Sequence, residues 1–155
     1  MTVVVGYVPT ETGFSAVTEA GRQARWRDEA VVVVNVVSTA GFVVPTAADQ
    51  RTLDAVAADL TANGVRNSLR HVRDDAPPAE IILGVAREVE ASLIVLGLHS
   101  RSWIARRMLG STAQSVVLGA ACPVLVVPDV DQPDKDDKSE GAVEPALRFM
   151  GHPRS

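Results

Sequence analysis

Cysteine, basic charge and long apolar runs are scarce in this sequence, and each scarcity excludes a class of protein. Cys122 is the only cysteine among 155 residues, so the chain can form neither an internal disulfide nor a cysteine-based metal cluster. Its neighbours are alanine and proline, which favours a small buried residue over a redox thiol. No run reaches 18 apolar residues, so we expect no membrane span. Because the first residues also lack the basic region of a signal peptide, we expect a cytoplasmic protein.

An excess of positive charge is absent as well. The net charge is −4 and the arginines are scattered, so nothing in the composition indicates nucleic-acid binding. The common hydrolase motifs are also missing: there is no Ser-His-acid order, no nucleophile elbow and no HExxH metal motif. The sequence therefore predicts neither a nucleic-acid-binding protein nor a hydrolase of these classes.

The residues that are abundant predict an α/β protein. Apolar residues make up 46% and charged residues 22%, an ordinary globular mixture, and the length suits one domain. Short runs rich in Val, Ile and Leu alternate with segments of helical spacing, which predicts a single doubly wound parallel sheet. The predicted strands are Thr2–Val8, Glu29–Val37, Val65–Val72, Ser92–Leu96 and Val124–Val127. The predicted helices are Phe14–Trp26, Thr46–Ala62, Ala79–Val89 and one that begins at Gly110–Thr112.

The loop between the fourth strand and the last helix has the pattern of an anion site. Gly97 ends the strand, and Gly110 opens the helix with Ser111 or Thr112 as the predicted N-cap. Glycine lets the backbone turn sharply and approach a ligand closely. The N-terminus of a helix carries partial positive charge and free amide groups. With Arg101 also in this loop, we predict that backbone amides here hold phosphate rather than make or break bonds.

The spacing of these residues resembles a known signature. Gly97, Ser100 and Gly110-Ser111 follow the pattern G-x2-G-x9-G-[S/T] of the ATP-binding universal stress proteins. The flanking segments LIVLG and CPVLVVP fit as well, and the resemblance covers Thr2 to Pro128. Two positions depart from the pattern. Ser100 replaces the middle glycine, and Val8 stands where family members often carry an acidic residue after the first strand.

The resemblance implies a Rossmann-like fold of the adenine nucleotide alpha hydrolase type, with strand order 3-2-1-4-5. It implies a site for ATP, with or without Mg²⁺, at the switch point between strands 1 and 4, where such sheets take ligands. The phosphate-binding residues would be Gly97, Ser100, Gly110, Ser111 and Thr112, with Arg101 nearby. Adenine and ribose would lie against Tyr7, Val8 and Val36.

The resemblance also implies a homodimer. In the order 3-2-1-4-5 the apolar strand Val124–Val127 lies at a sheet edge, and pairing with its own copy across a two-fold axis would cover it. Residues 1–128 would then form the domain. Residues 129–155 are acidic and contain the only lysines, Lys135 and Lys138, so we expect a disordered tail. A docking peptide for a protein partner is the alternative for Glu144–Met150.

Three functional hypotheses remain open at this stage. The first is a nucleotide-binding module of stress response or signalling, and the second is a dimeric interaction protein of the same fold that binds no nucleotide. The third is a slow ATP hydrolase with His99 as its acid or base, although the loop lacks the Gly-Lys-Ser/Thr core of a P-loop. Asn35, a polar residue in an apolar strand, has either a structural backbone partner or a ligand role.

Overall fold

The computed structural model describes residues 1–38, 48–98 and 109–128. Strands and helices alternate through these ranges. The strands are β1 (Thr2–Gly6), β2 (Ala30–Ser38), β3 (Asn67–Asp74), β4 (Ala91–Leu98) and β5 (Val124–Pro128). The helices are α1 (Glu11–Arg27), α2 (Gln50–Ala62), α3 (Pro78–Glu88) and α4 (Ser111–Gly119).

The strands form one parallel sheet in the order β3-β2-β1-β4-β5, which confirms the predicted fold and strand order. β1 lies at the centre, so Val4 is flanked by Val32 of β2 and Ile94 of β4. The chain winds from β1 towards β3 in one direction and from β4 towards β5 in the other. The switch point therefore lies between the carboxyl ends of β1 and β4, where ligands bind in folds of this kind.

Helices cover both faces of the sheet, which explains why its central strands are apolar throughout. Val3 and Val5 face α1 and α2, whereas Val4 faces α3 and α4, and none of the three is accessible to solvent. Because successive side chains of a strand point to opposite faces, a strand buried on both faces needs apolar residues at every position. The consecutive valines thus specify a central, doubly covered strand.

The starts of two helices differ from those predicted, because polar residues cap them. Thr10 is the N-cap of α1, and its Oγ1 accepts a hydrogen bond of 3.1 Å from the Gly13 N–H. Asp49 caps α2 by accepting a bond of 2.8 Å from the Thr52 N–H. Helix α1 therefore begins at Glu11, within the predicted turn, and β1 ends at Gly6, two residues early.

The two edges of the sheet differ in chemistry. β3 alternates between half-buried and exposed side chains and carries Arg70, Arg73 and Asp74, a charged edge of the kind that discourages pairing with another chain. β5 has no charged residue, and Val124–Val127 are each half-buried. Within the described residues, no helix is long and apolar enough to cross a membrane.

Candidate functional site

A cavity of about 570 Å³ opens at the carboxyl ends of β1, β2 and β4. Its walls come from these strand ends, from the β1–α1 turn and from the starts of α1, α3 and α4. This is the switch point of the sheet, so the fold and the cavity indicate the same position for a ligand. The lining residues are Gly6, Tyr7, Val8, Thr10, Thr12, Gly13, Val34, Val36, Pro78, Ile82, Leu96, Gly97, Leu98, Gly110, Ser111, Thr112 and Ala113.

Most of the predicted site residues line this one cavity. They come from three strand ends and one helix start that are distant in sequence: Tyr7, Val8, Val36, Gly97, Gly110, Ser111 and Thr112. Ser100 and Arg101 lie outside the described residues, as does His99. The remaining lining residues were not predicted. Those of the β1–α1 turn could have been found, since the turn after the central strand must border the switch point.

The start of α4 has the features of an anion site. Gly110 is the N-cap and makes no side-chain capping bond, so the prediction of Ser111 or Thr112 as N-cap is wrong. Within the described residues the start of α4 therefore has no side-chain cap, and Ser111 and Thr112 line the cavity there. A Cβ at Gly110 would meet no atom of the described residues within 4 Å. An open approach to an uncapped helix N-terminus suits an anion, because the helix dipole and the amides both favour negative charge.

Gly97 lines the cavity, but it does not end the strand as was predicted. β4 continues to Leu98, so the chain does not turn sharply at this glycine. A Cβ at Gly97 would lie 2.7 Å from both Cγ2 and the carbonyl oxygen of Thr12. The glycine is therefore required by the close packing of β4 against the start of α1.

The β1–α1 turn is wound tightly beside the cavity. The Thr10 N–H donates a hydrogen bond of 2.8 Å to the Val8 carbonyl. A Cβ at Gly13 would lie 1.8 Å from the same carbonyl oxygen, so only glycine fits there. This crowding was not predictable from the sequence, because it depends on how α1 folds back onto the end of β1.

Asn35 holds the end of β1 in position. Its side chain is fully buried, and Nδ2 donates a hydrogen bond of 2.9 Å to the Tyr7 carbonyl. Its Oδ1 accepts a hydrogen bond of 3.4 Å from the Ala48 N–H. The Tyr7 N–H in turn donates a hydrogen bond of 2.8 Å to the Val34 carbonyl. The predicted backbone partner of Asn35 is confirmed, since two of its bonds join backbone groups of the strand end and of the segment before α2.

The Tyr7 side chain closes the inner wall. It is 2% exposed, and its ring meets the Phe14 ring edge-on at 5.6 Å between centroids. Its hydroxyl is buried and has no hydrogen-bond partner within the described part of the chain. Burial raises the pKa of the Tyr7 phenol, and the nearby Asp49 charge raises it further, so the group stays neutral near pH 7. Phe14, the first residue of the predicted helix, is 47% exposed.

The cavity wall is neutral over the described residues. It consists of apolar side chains, glycines and hydroxyls, with no Asp, Glu, His, Lys or Arg. No group of three metal-binding side chains occurs in ranges 1–38, 48–98 and 109–128. The sequence also contains no acidic residue between Glu90 and Asp129. Such a wall can hold an anion at a helix end and an apolar group beside it.

A doubly wound α/β fold with a cavity at its switch point defines a class of protein that takes ligands at the strand ends. Within that class, the model of the universal stress protein family matches residues 1–128. The chain belongs to this family, which confirms the resemblance drawn from the glycine motif.

Individual relatives agree with the family match. A universal stress protein of Mycolicibacterium smegmatis is 32% identical over 126 residues, which are 81% of this chain and 95% of that protein. A universal stress protein from Archaeoglobus fulgidus, solved in complex with dAMP, is 25% identical with a TM-score of 0.64, covering 82% of this chain and 97% of that one. A further universal stress protein structure, solved in complex with cAMP, is 25% identical with a TM-score of 0.67 and covers 82% of this chain and 96% of that one. The chain spans only 48% of the length of some mycobacterial relatives.

Proposed function

We propose that this protein binds an adenine nucleotide, ATP or ADP with or without Mg²⁺, and acts as a stress-response or signalling module. The observation that carries the proposal is the cavity at the switch point. It combines an open, uncapped helix N-terminus with a neutral and largely apolar wall. The two related structures that hold dAMP and cAMP support the choice of an adenine nucleotide.

The phosphates would bind at the start of α4. The first-turn amides and the hydroxyls of Ser111 and Thr112 would be the donors, and no described residue comes within 4 Å of a Cβ at Gly110. The motif adds Gly97, Ser100 and Arg101 to this group. A helix N-terminus stabilises negative charge without a lysine or a metal ligand, so the neutral wall is compatible with phosphate binding.

The adenine ring would bind against the apolar part of the cavity wall. That part includes Val34 and Val36 of β2 and Pro78 and Ile82 of α3. Because β1 lies between β2 and β4, the usual spacing of strands puts the carboxyl ends of β2 and β4 about 10 Å apart. A flat base suits an apolar slot, and its polar edge would be read by backbone groups near Val36, since these side chains offer no hydrogen bonds.

Native mass spectrometry of the full chain tests this function. After addition of ATP we expect one nucleotide per chain, together with a direct count of subunits. ADP and GTP, added separately at the same concentration, would show whether the base is selected. A protein that stays empty at millimolar ATP would contradict the proposal and favour the second function.

That second function is a dimeric interaction protein that binds no nucleotide. The observation in its favour is the apolar surface at the β5 edge. Val124–Val127 are half-buried, and on the adjacent helix α4 Val117 is 42% and Leu118 79% exposed. An apolar edge without charge invites strand pairing. Pairing with a second copy is compatible with either function, so nucleotide occupancy separates the two.

Light scattering tests the dimer. Val126→Lys would place a charge in the proposed interface and should convert a dimer into a monomer. Ser68→Lys on β3, an exposed position at the opposite edge, is the matched control and should leave the dimer intact. A wild-type monomer that dimerises only after truncation at Pro128 would show instead that residues 129–155 cover the edge.

A further inference from the structure

We propose that Asn35 is a positioning residue of the nucleotide site, a role that rests on the proposed function and adds to it a residue that controls affinity from outside the cavity. Its side chain fixes the end of β1, and with it the part of the cavity wall that β1 contributes. Asn35 itself is not one of the described residues that line the cavity. Its effect on a ligand therefore passes through the residues that it holds.

Backbone pairing between β1 and β2 ends next to Asn35. The last paired residues are Gly6 and Val34, and the Tyr7 N–H donates one more hydrogen bond, of 2.8 Å, to the Val34 carbonyl. β2 continues beside β3 as far as Ser38. Pairing with β2 thus stops holding β1 at the point where both strands border the cavity.

The Asn35 side chain supports β1 beyond this point. Nδ2 donates a hydrogen bond of 2.9 Å to the carbonyl of Tyr7, the residue before Val8 of the cavity wall. Oδ1 accepts a hydrogen bond of 3.4 Å from the Ala48 N–H, in the segment before α2. The side chain is fully buried, and a buried polar group that is hydrogen-bonded to the backbone makes the surrounding structure more rigid. Asn35 therefore ties the end of β1 both to β2 and to the segment before α2.

The neighbours of Asn35 on β2 face the opposite side of the sheet, because successive side chains of a strand alternate. Val33 packs in the core with α1 and α2, whereas Val34 and Val36 pack in the core with α3 and α4 and line the cavity. One stretch of β2 thus forms part of the wall from one face and holds the end of β1 from the other. A shift of β1 against β2 would change how Val8 and Val36 are placed around a ligand.

The turn after β1 carries this restraint further along the wall. The Val8 carbonyl accepts a hydrogen bond of 2.8 Å from the Thr10 N–H, and Thr10 Oγ1 accepts one from the Gly13 N–H. All three residues line the cavity, as does Tyr7. Without the bond from Asn35 this wall samples further positions. Apparent affinity for a ligand then falls in proportion to the fraction of molecules whose wall is correctly placed.

Calorimetric titration of full-length Asn35→Leu with ATP tests the proposal. Leucine branches at the same carbon as asparagine but can neither donate nor accept a hydrogen bond. We expect ATP to bind about tenfold more weakly than to the wild type, a loss that corresponds to one hydrogen bond. Asn35→Ser, whose neutral side chain is too short to reach both partners, is the second variant and should lose ATP affinity by a similar factor.

Val31→Ala is the matched control. Val31 is a fully buried residue of the same strand and the same core as Val33, and it does not line the cavity. The variant should therefore lose stability but bind ATP within about twofold of the wild type. Urea unfolding shows that each variant is folded where its affinity is measured.

ATP affinity of the folded protein is a readout that a purely structural residue would not change. Weaker binding in the Asn35 variants, with near wild-type binding in Val31→Ala, would support the proposal. Wild-type affinity in a folded Asn35→Leu or Asn35→Ser protein would overturn it, and so would an equal loss in Val31→Ala, because affinity would then follow stability. A wild type that binds no ATP would overturn the proposed function itself, and this role of Asn35 with it.

Discussion

The end of β4 and the start of α4 each carry a glycine of one sequence motif, but the two glycines have opposite surroundings. At Gly97 a Cβ would lie 2.7 Å from the Thr12 carbonyl oxygen, whereas at Gly110 it would meet no atom of ranges 1–38, 48–98 and 109–128 within 4 Å. The first glycine allows one part of the protein to pack closely against another. The second leaves space free beside a helix N-terminus, where a ligand can approach. Two glycines of one motif thus differ in their surroundings, and only the fold distinguishes them.

The largest expected effect on stability is at Gly97, the closely packed glycine. Gly97→Ala should lower the free energy of unfolding by about 2–3 kcal/mol, because a backbone carbonyl cannot move aside cheaply. Gly110→Ala should cost only about 0.5–1 kcal/mol, the difference between glycine and alanine as an N-cap. Urea unfolding of both variants measures the difference. Equal losses would show that the two positions are not distinguished by packing.

A smaller effect is expected at the closed wall beside the end of β1. Tyr7→Phe removes a buried hydroxyl that has no hydrogen-bond partner in the described residues. Because an unsatisfied buried hydroxyl is costly, the variant should be as stable as the wild type or more stable by about 1 kcal/mol. Urea unfolding at neutral pH measures this change. A clear loss of stability would mean that the hydroxyl has a partner in solution.

The same residue predicts a dependence on alkaline pH. The pKa of folded Tyr7 is raised above its ordinary value of 10.0 by burial and by Asp49. The folded state therefore favours the neutral phenol, and its stabilising effect is complete below pH 10.0 and is lost as the pH rises through the folded pKa. Since Tyr7 is the only tyrosine, phenolate absorbance follows its titration directly. Tyr7→Phe should show a shallower alkaline loss of stability; an identical loss would contradict the raised pKa.

The smallest effect concerns an open glycine far from the site. Gly84 lies inside α3, and a Cβ there would also meet no atom of the described part of the chain within 4 Å. Gly84→Ala should raise the free energy of unfolding by about 0.5–1 kcal/mol, because alanine is the better helix former. Gly84 does not line the cavity. The variant therefore shows the effect of adding a methyl group at an open glycine that is not beside the proposed site.

Much of the fold could be predicted because its signals are local. The continuous apolar runs of β1, β2 and β4 indicate strands covered on both faces, and the alternation of β3 indicates a strand covered on one. The strand order followed from the family resemblance. Helix starts were less certain, since Thr10 and Asp49 cap helices that extend or shorten the predicted ones. A threonine in a turn and a threonine at an N-cap look alike in sequence, and the difference lies in where its Oγ1 finds a donor.

The site could be predicted only in part for a similar reason. The motif identified the start of α4, and the switch point identified the ends of β1 and β4. The packing role of Gly97 and the crowding at Gly13 depend on contacts between elements. Pro78 and Ile82, which form part of the apolar slot, come from a helix that carries no recognisable binding motif.

The most direct test of nucleotide binding at this cavity is an ATP titration of Gly110→Val by calorimetry, with Gly84→Ala as control. Valine would fill the space beside the α4 N-terminus and block approach to its amides. We expect at least about a hundredfold loss of ATP affinity, with a stability cost of only about 1 kcal/mol from the poorer N-cap. Gly84→Ala should bind ATP as the wild type does. Unchanged ATP affinity in a folded Gly110→Val protein would contradict the assignment of the phosphate site to the start of α4.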